Sequence, residues 1–337
     1  MRGIMPHRIV ELEPVTGNTI MEPATYLQHK IKNTLQSLLL IISLGGLCAW
    51  LAWFLGGLPM AVATALVILI SYQINPVASP EWAMRLFRAR RLSPNEAPDL
   101  YRLMAQLTRR AGLEQIPQLY YLPSDVMNAF TTGDRRNAAI AISDGLLRRM
   151  AWREMAGVLA HELMHVVNQD TRLMAFADLT SRVTGFLSMI GQLLLLVNLP
   201  LMLFGQTTLP WIPILLLLVA PTLSALAQLA LSRSREYEAD LGAAKLTGDP
   251  LGLASALNKL EPPRHRLLER LLHPGPRIPD PSLLRTHPPT DDRVARLMAL
   301  THLGSTTSDE VLSASDIRNL LAHNPYRPRW HRNGMWY

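Results

Sequence analysis

The sequence predicts a mainly α-helical membrane protein with a small β-sheet, in which four apolar spans carry a cytoplasmic domain. Three observations predict it. Residues 33–80 and 183–232 form stretches of 48 and 50 residues without a single Asp, Glu, Lys or Arg. Basic residues flank both stretches and are absent from the turns inside them. The rest of the chain alternates amphipathic helical patterns with three short strand-like runs.

Composition agrees. Of 337 residues, 49% are hydrophobic and only 18% charged, and the mean hydropathy is +0.12. A disordered chain is thereby excluded. The single cysteine, Cys48, excludes a disulfide-stapled scaffold. The net charge of +7 comes from 29 Arg and four Lys against 26 acids. The flanks of the apolar stretches account for much of it, and no fold motif or aromatic-basic module supports a nucleic-acid partner.

Residues 1–34 form an N-terminal tail. It contains Glu11, Glu13 and Glu22 and no apolar run of its own, so it is not a cleavable signal peptide and the first span acts as an uncleaved anchor. Met5 and Met21 are alternative starts. At about 1.5 Å per residue each charge-free stretch is about 72–75 Å long, against a hydrocarbon core of about 30 Å, which means two crossings and a turn. Gly56-Gly57-Leu58-Pro59 divides the first hairpin (35–76) into spans at Leu35–Leu55 and Met60–Pro76. The second hairpin (183–231) holds spans at Val183–Leu203 and Ile214–Leu231, divided by Asn198–Pro213. Prolines at 200, 210, 213 and 221 also allow it a shallower, re-entrant course. Runs such as Leu193–Val197 and Ile214–Val219 lack the polar face of a soluble helix.

Lys30, Lys32, Arg85, Arg88, Arg90 and Arg91 flank the first hairpin, and Arg172, Arg182, Arg233 and Arg235 flank the second. By the positive-inside rule the termini and the soluble mass are cytoplasmic, which suits a bacterial inner membrane. The spans contain no ionisable residue, which argues against a transporter.

Between the hairpins, residues 81–182 begin with an amphipathic helix at Ala97–Ala111. Its apolar face carries Leu100, Leu103, Met104 and Leu107. Strands follow at Gln118–Leu122, Met127–Thr131 and Ala138–Ser143, then a helix at Trp152–Val167. Residues 232–305 are mostly helical around a Pro-rich break at 273–289. There Thr290-Asp291-Asp292 supplies an N-cap and two first-turn acids. Residues 306–337 form a tail ending in basic and aromatic residues.

The chemistry lies in His161-Glu162-Leu163-Met164-His165. Positions i and i+4 share a helical face, so both imidazoles can reach one Zn²⁺, while Glu162 is placed to take a proton from a metal-bound water. A catalytic zinc needs a third protein ligand. Spacing alone leaves Glu236, Glu238 and a merely solvated charged face open in Ser232-Arg233-Ser234-Arg235-Glu236-Tyr237-Glu238-Ala239-Asp240. Asp240, four residues after Glu236, is the natural carboxylate to accept a hydrogen bond from a ligating imidazole.

These motifs, with Asn168-x-Asp170 and Gly242-Ala243, resemble the HtpX membrane zinc metalloproteases, relatives of the CAAX prenyl proteases. The resemblance covers residues 30–300 and extends to Asn128-Ala129-Phe130 and to His287-Pro288-Pro289 with Arg293 and Leu297. It implies a gluzincin-like domain split around the second hairpin and one Zn²⁺ per chain. It also implies His161, His165 and Glu236 as ligands, Glu162 as base and Asp240 behind a ligand. His287, by itself a loop histidine, is implied to stabilise the oxyanion. Asn128, Ala129 and Phe130 are implied to lie on a substrate-side strand that holds an extended peptide by main-chain pairing. The function implied is zinc-dependent endoproteolysis of unfolded or membrane proteins in quality control. The contrasting reading is a zinc-binding membrane scaffold that does not cut, against which the intact Glu162 argues.

Overall fold

Glycine breaks the first apolar run where the sequence places its turn. The computed structural model describes residues 23–74, 80–206, 210–260 and 290–302. Helix α1 (Pro23–Ile74) is interrupted at Gly56 and at Gly57, whose φ of 66° and ψ of −160° are open to glycine and costly for other residues. Two further helices carry the other long apolar stretches, α6 (Asp170–Leu203) and α7 (Trp211–Thr247).

Three helical segments are long and apolar enough to cross a membrane: Asn33–Phe54, Asp170–Leu203 and Trp211–Thr247. The fourth expected span is shorter. Its apolar part is Gly56–Ile70, about 22 Å of helix against a hydrocarbon core of about 30 Å. Residues 75 and 76 of the expected span lie outside the described residues.

The apolar helices pack on one another along a narrow inner seam. Leu44, Cys48, Phe176, Ala177 and Leu231 form one cluster, and Leu51, Leu187, Leu217 and Ala220 another. Cys48 is fully buried and therefore packs between helices instead of facing lipid. Gly191 lets α6 and α7 approach closely, since a Cβ there would lie 2.6 Å from that of Leu217. Ser181 Oγ, 3.0 Å from both Ser224 Oγ and Gln228 Oε1, adds hydrogen bonds between the same helices. Outward-facing Leu39, Leu196 and Leu203 are 63%, 68% and 83% exposed, a surface that lipid tolerates and water does not.

Both hairpin helices of the second stretch overrun their expected limits. Helix α6 begins thirteen residues before Val183, because Gln169 turns the chain in the left-handed region (φ 56°) and Asp170 opens a new helix at once. Helix α7 continues past Leu231 to Thr247 and ends at Gly248 with φ 73°, a glycine C-cap. The apolar helices thus run without a break into the residues expected to carry the chemistry.

The remaining described elements are α2 (Pro80–Leu86), β1 (Arg90–Arg91), α3 (Pro98–Arg110), β2 (Gln118–Leu122), β3 (Ala129–Gly133), β4 (Ala138–Ser143), α4 (Asp144–Arg149), α5 (Trp152–Val167), α8 (Pro250–Leu260) and α9 (Thr290–His302). The sheet order is β1-β2-β4-β3, with β2 and β4 parallel and the outer pairs antiparallel. Strand β3 starts two residues later than Met127. The hydroxyl of Ser124 accepts from Val126 N–H and keeps that stretch in a loop, so pairing begins when Ser143 N–H donates to Asn128 O. The core fills the space between one sheet face and the helices, with Leu103 and Leu107 of α3, Ile140 and Ile142 of β4, Leu159 and Leu163 of α5, and Leu297 of α9 all buried.

Candidate metal centre

Helix α5 is pinned before its histidines are reached. The Glu154 carboxylate accepts from Ala151 N–H at 2.8 Å, Ser255 Oγ at 2.6 Å and Lys259 Nζ at 2.6 Å, tying the start of α5 to α8. Gly157 lets the two helices touch, because a Cβ there would stand 2.9 Å from the Cα of Leu253. On its other side α5 packs on α7, which lays Glu236 and Asp240 against His161 and His165.

His161, His165 and Glu236 are all buried, and their ligand atoms lie within 4.8 Å of one another. His161 Nε2 is 3.1 Å from His165 Nε2 and 3.4 Å from Glu236 Oε2, and His165 Nε2 is 3.8 Å from Glu236 Oε1. A tetrahedral ion with bonds of about 2.0–2.1 Å has ligand-to-ligand edges of about 3.3–3.4 Å, so the spacing fits. Two imidazole nitrogens and a carboxylate also form a donor set that catalytic zinc uses. Among the choices left open by spacing, Glu236 joins the histidines, whereas Glu238 pairs with Arg235 Nη1 at 2.6 Å.

A carboxylate stands behind each imidazole, hydrogen-bonded at His165 and in ion-pair contact at His161. Asp240 Oδ1 is 3.0 Å from His161 Nδ1, and Asp170 Oδ2 is 2.7 Å from His165 Nδ1. A carboxylate at Nδ1 calls for the proton there and leaves the Nε2 lone pair for the ion. Each carboxylate is gripped in turn by a buried arginine. Arg293 of α9 donates to Asp240 through Nε at 2.7 Å and Nη2 at 2.6 Å, and its Nη1 lies 3.2 Å from Glu236. Arg235 donates to Asp170 at 2.5 Å.

The balance of these charges favours a cation. Burial opposes a charged imidazole at His161, yet the carboxylates of Asp240 and Glu236 outweigh it and raise the group from its usual 6.5 to about 9. A pocket that draws a proton this strongly onto a buried ring is suited to a positive ion.

Glu162, also buried, faces the sheet. Thr131 Oγ1 donates to its Oε2 at 2.7 Å, which fixes the carboxylate beside the ligand set. Thr131 belongs to β3, an edge strand among the described residues. Because Ser143 N–H donates to Asn128 O, alternation turns the main-chain groups of Asn128 and Phe130 toward β4 and those of Ala129 and Thr131 outward. The Phe130 side chain points to the far face of the sheet, packing edge-on against Phe87 at 5.0 Å between ring centroids. His287 lies outside the described residues. In sequence, Asp170 and Arg293 appear only among the motifs that carry the family resemblance, Arg235 only as a basic flank of the second hairpin and Thr131 only as a strand residue, none with a role at this site. For Asp170 a signal existed in its position five residues beyond the second histidine and for Arg293 in the resemblance that includes it, but nothing in sequence joins Thr131 to this site.

Residues 94–301 match the model of peptidase family M48. The chain is 33% identical to protease HtpX of Legionella pneumophila (strain Corby) over 292 residues, which is 80% of this chain and 99% of that one. It is 38% identical to a protease HtpX homolog of Acaryochloris marina over 239 residues, 66% of this chain and 78% of the relative. Among solved structures, Ste24p of S. mikatae gives a TM-score of 0.43 at 21% identity, covering 83% of this chain and 68% of that one, too distant to carry an argument.

Proposed function

From the premise that this chain belongs to peptidase family M48 and to its HtpX membrane metalloproteases, we propose that it is a zinc-dependent endopeptidase that cuts unfolded proteins and segments of membrane proteins. The observation that most supports this is the convergence of His161, His165 and Glu236 beside a Glu162 held by Thr131. As a family member the chain is a metalloprotease, which disfavours the non-cleaving scaffold.

His161, His165 and Glu236 would hold the ion, and Zn²⁺ when bound supplies a Lewis acid that acidifies water and polarises a carbonyl. Glu162 then takes a proton from the attacking water onto its carboxylate and passes it to the leaving amine. Asp170 and Asp240 keep both rings oriented, and the outward groups of Ala129 and Thr131 pair with an extended substrate. Asn128 sets the start of that strand, Phe130 anchors it from behind, and His287 is assigned to the oxyanion. The catalytic domain is split, residues 81–182 and 232–305 meeting around the second hairpin. Four spans place it and both termini on the cytoplasmic side of an inner membrane, close to the bilayer surface.

The test is wild type beside Glu162→Gln, purified in detergent under a reversible chelator and then reloaded with zinc. Both should hold about one zinc per chain, as a catalytic site with three protein ligands does. Only wild type should cut an unfolded protein, the variant losing about 10²–10⁴-fold. Wild type without zinc would sink the site, and equal cleavage by both would sink the role of Glu162.

A further inference from the structure

Helix α2 has two faces that differ in kind. Met84 is fully buried, and Phe87, the residue after the helix, packs on Phe130 of β3. Trp82 and Leu86, four residues apart and so on one face, are 61% and 55% exposed, and Arg85 is exposed beside them.

The position of this face says what covers it. Helix α2 starts six residues after Ile74, where α1 ends. Pro80 abuts the β3–β4 turn, its Cγ 2.9 Å from where a Cβ on Gly133 would stand. From the same turn Arg135 Nε donates at 3.0 Å to Val167 O, at the end of α5 and just before α6 begins. The first apolar hairpin therefore arrives, and the second departs, at one end of the sheet. Trp82, Arg85 and Leu86 follow Pro80 within two turns of α2 and Arg136 lies in the β3–β4 turn itself, whereas the pairing of Arg90 with Tyr121, level with Ala129, puts Arg88 toward the other end of the sheet.

We infer that α2 is an interfacial anchor for an anionic bilayer. Trp82 and Leu86 enter the headgroup layer, while Arg85 and Arg136 meet lipid phosphates. An indole at headgroup depth and arginines beside anionic lipid are each favourable there. Because Pro80 abuts Gly133 and Phe87, the residue after α2, packs on Phe130, the anchor sets the height of the edge strand. Gly133 to Ala129 is four steps, about 13–14 Å, so a substrate segment leaving the bilayer reaches Thr131 within a few residues.

The experiment is spin labelling of the full chain in vesicles of phosphatidylcholine and phosphatidylglycerol. A Cys48→Ala background carries one of Trp82→Cys, Leu86→Cys, Val126→Cys or Leu39→Cys. Val126, 44% exposed before β3, sits at the sheet end away from Pro80 and serves as the water reference. The inference rests on α1 crossing the bilayer, which the label at Leu39 reports separately. Labels at Trp82 and Leu86 should show a ratio of oxygen to aqueous nickel-chelate accessibility several-fold above that at Val126. A lipid-exposed Leu39 label with Trp82 and Leu86 labels resembling Val126 overturns the anchor alone. A water-exposed Leu39 label overturns the membrane reading and the anchor with it. Labels at Trp82 and Leu86 shielded from both reagents mean a protein covers this face, which also overturns the anchor. As a second measurement, Trp82→Ser with Leu86→Ser should slow cleavage of a membrane-tethered substrate several-fold and spare the same segment as a free peptide. Equal losses on both count against the proposal.

Discussion

Asp170 Oδ2 stands 2.7 Å from Nδ1 of His165, across the left-handed turn at Gln169 that joins the ligand helix to an apolar helix. The residue that opens α6 thus also orients a candidate metal ligand. Asp170→Asn keeps an acceptor at Nδ1 but removes the charge and leaves Arg235 without its carboxylate partner there. Zinc affinity should fall about 10–100-fold, read by competition with a fluorescent chelator. An unchanged affinity would mean that His165 is held by its helix alone.

Arg293 spans two carboxylates of the site, gripping Asp240 with two nitrogens and reaching Glu236 with the third. Arg293→Met leaves both acids buried without that cation. The zinc-free protein should lose about 3–5 kcal/mol of stability, as when one partner of a buried ion pair is removed. Added zinc should restore part of the loss, seen as a rise in melting temperature larger than that of wild type. Equal melting of wild type and variant without zinc would show that Arg293 does not stabilise the site.

His161 gives the site its pH dependence. Its folded value of about 9 lies above the ordinary 6.5, so in chelator-treated protein the protonated ring adds stability that is full below about 6.5 and disappears as pH rises through about 9. Zinc must displace that proton, so its apparent affinity should climb about tenfold per pH unit between these values and then level. A titration at several pH values checks both limbs. Flat zinc affinity across this range would contradict the raised proton affinity.

Thr131 touches the base and none of the three ligands. Thr131→Val should therefore lower kcat by about tenfold, the equivalent of about 1.4 kcal/mol lost with one hydrogen bond to a carboxylate. Zinc content should remain that of wild type. A parallel loss of zinc would place Thr131 in the folding of the site and not in the orientation of Glu162.

The sequence by itself determined the covalent facts of this protein's chemistry. A charge-free run is apolar in any context, so the membrane helices show in composition. The i, i+4 relation of His161 and His165 follows from helical pitch, and the Gly56-Gly57 break from glycine's access to positive φ. The same local periodicity located α3, α5 and three of the four strands to within two residues, while the two-residue β1, too short for any period, went unpredicted.

Tertiary structure decided what periodicity cannot carry, the contacts between distant segments. Spacing did not separate Glu236 from Glu238; the packing of α7 on α5 turned one acid toward the histidines and the other toward Arg235. Thr131 met Glu162 across 31 residues, and Arg293 met Asp240 across 53. These pairings depend on helix crossing and strand order, which are set by how side chains fill a shared core, and no spacing in one segment encodes its neighbour.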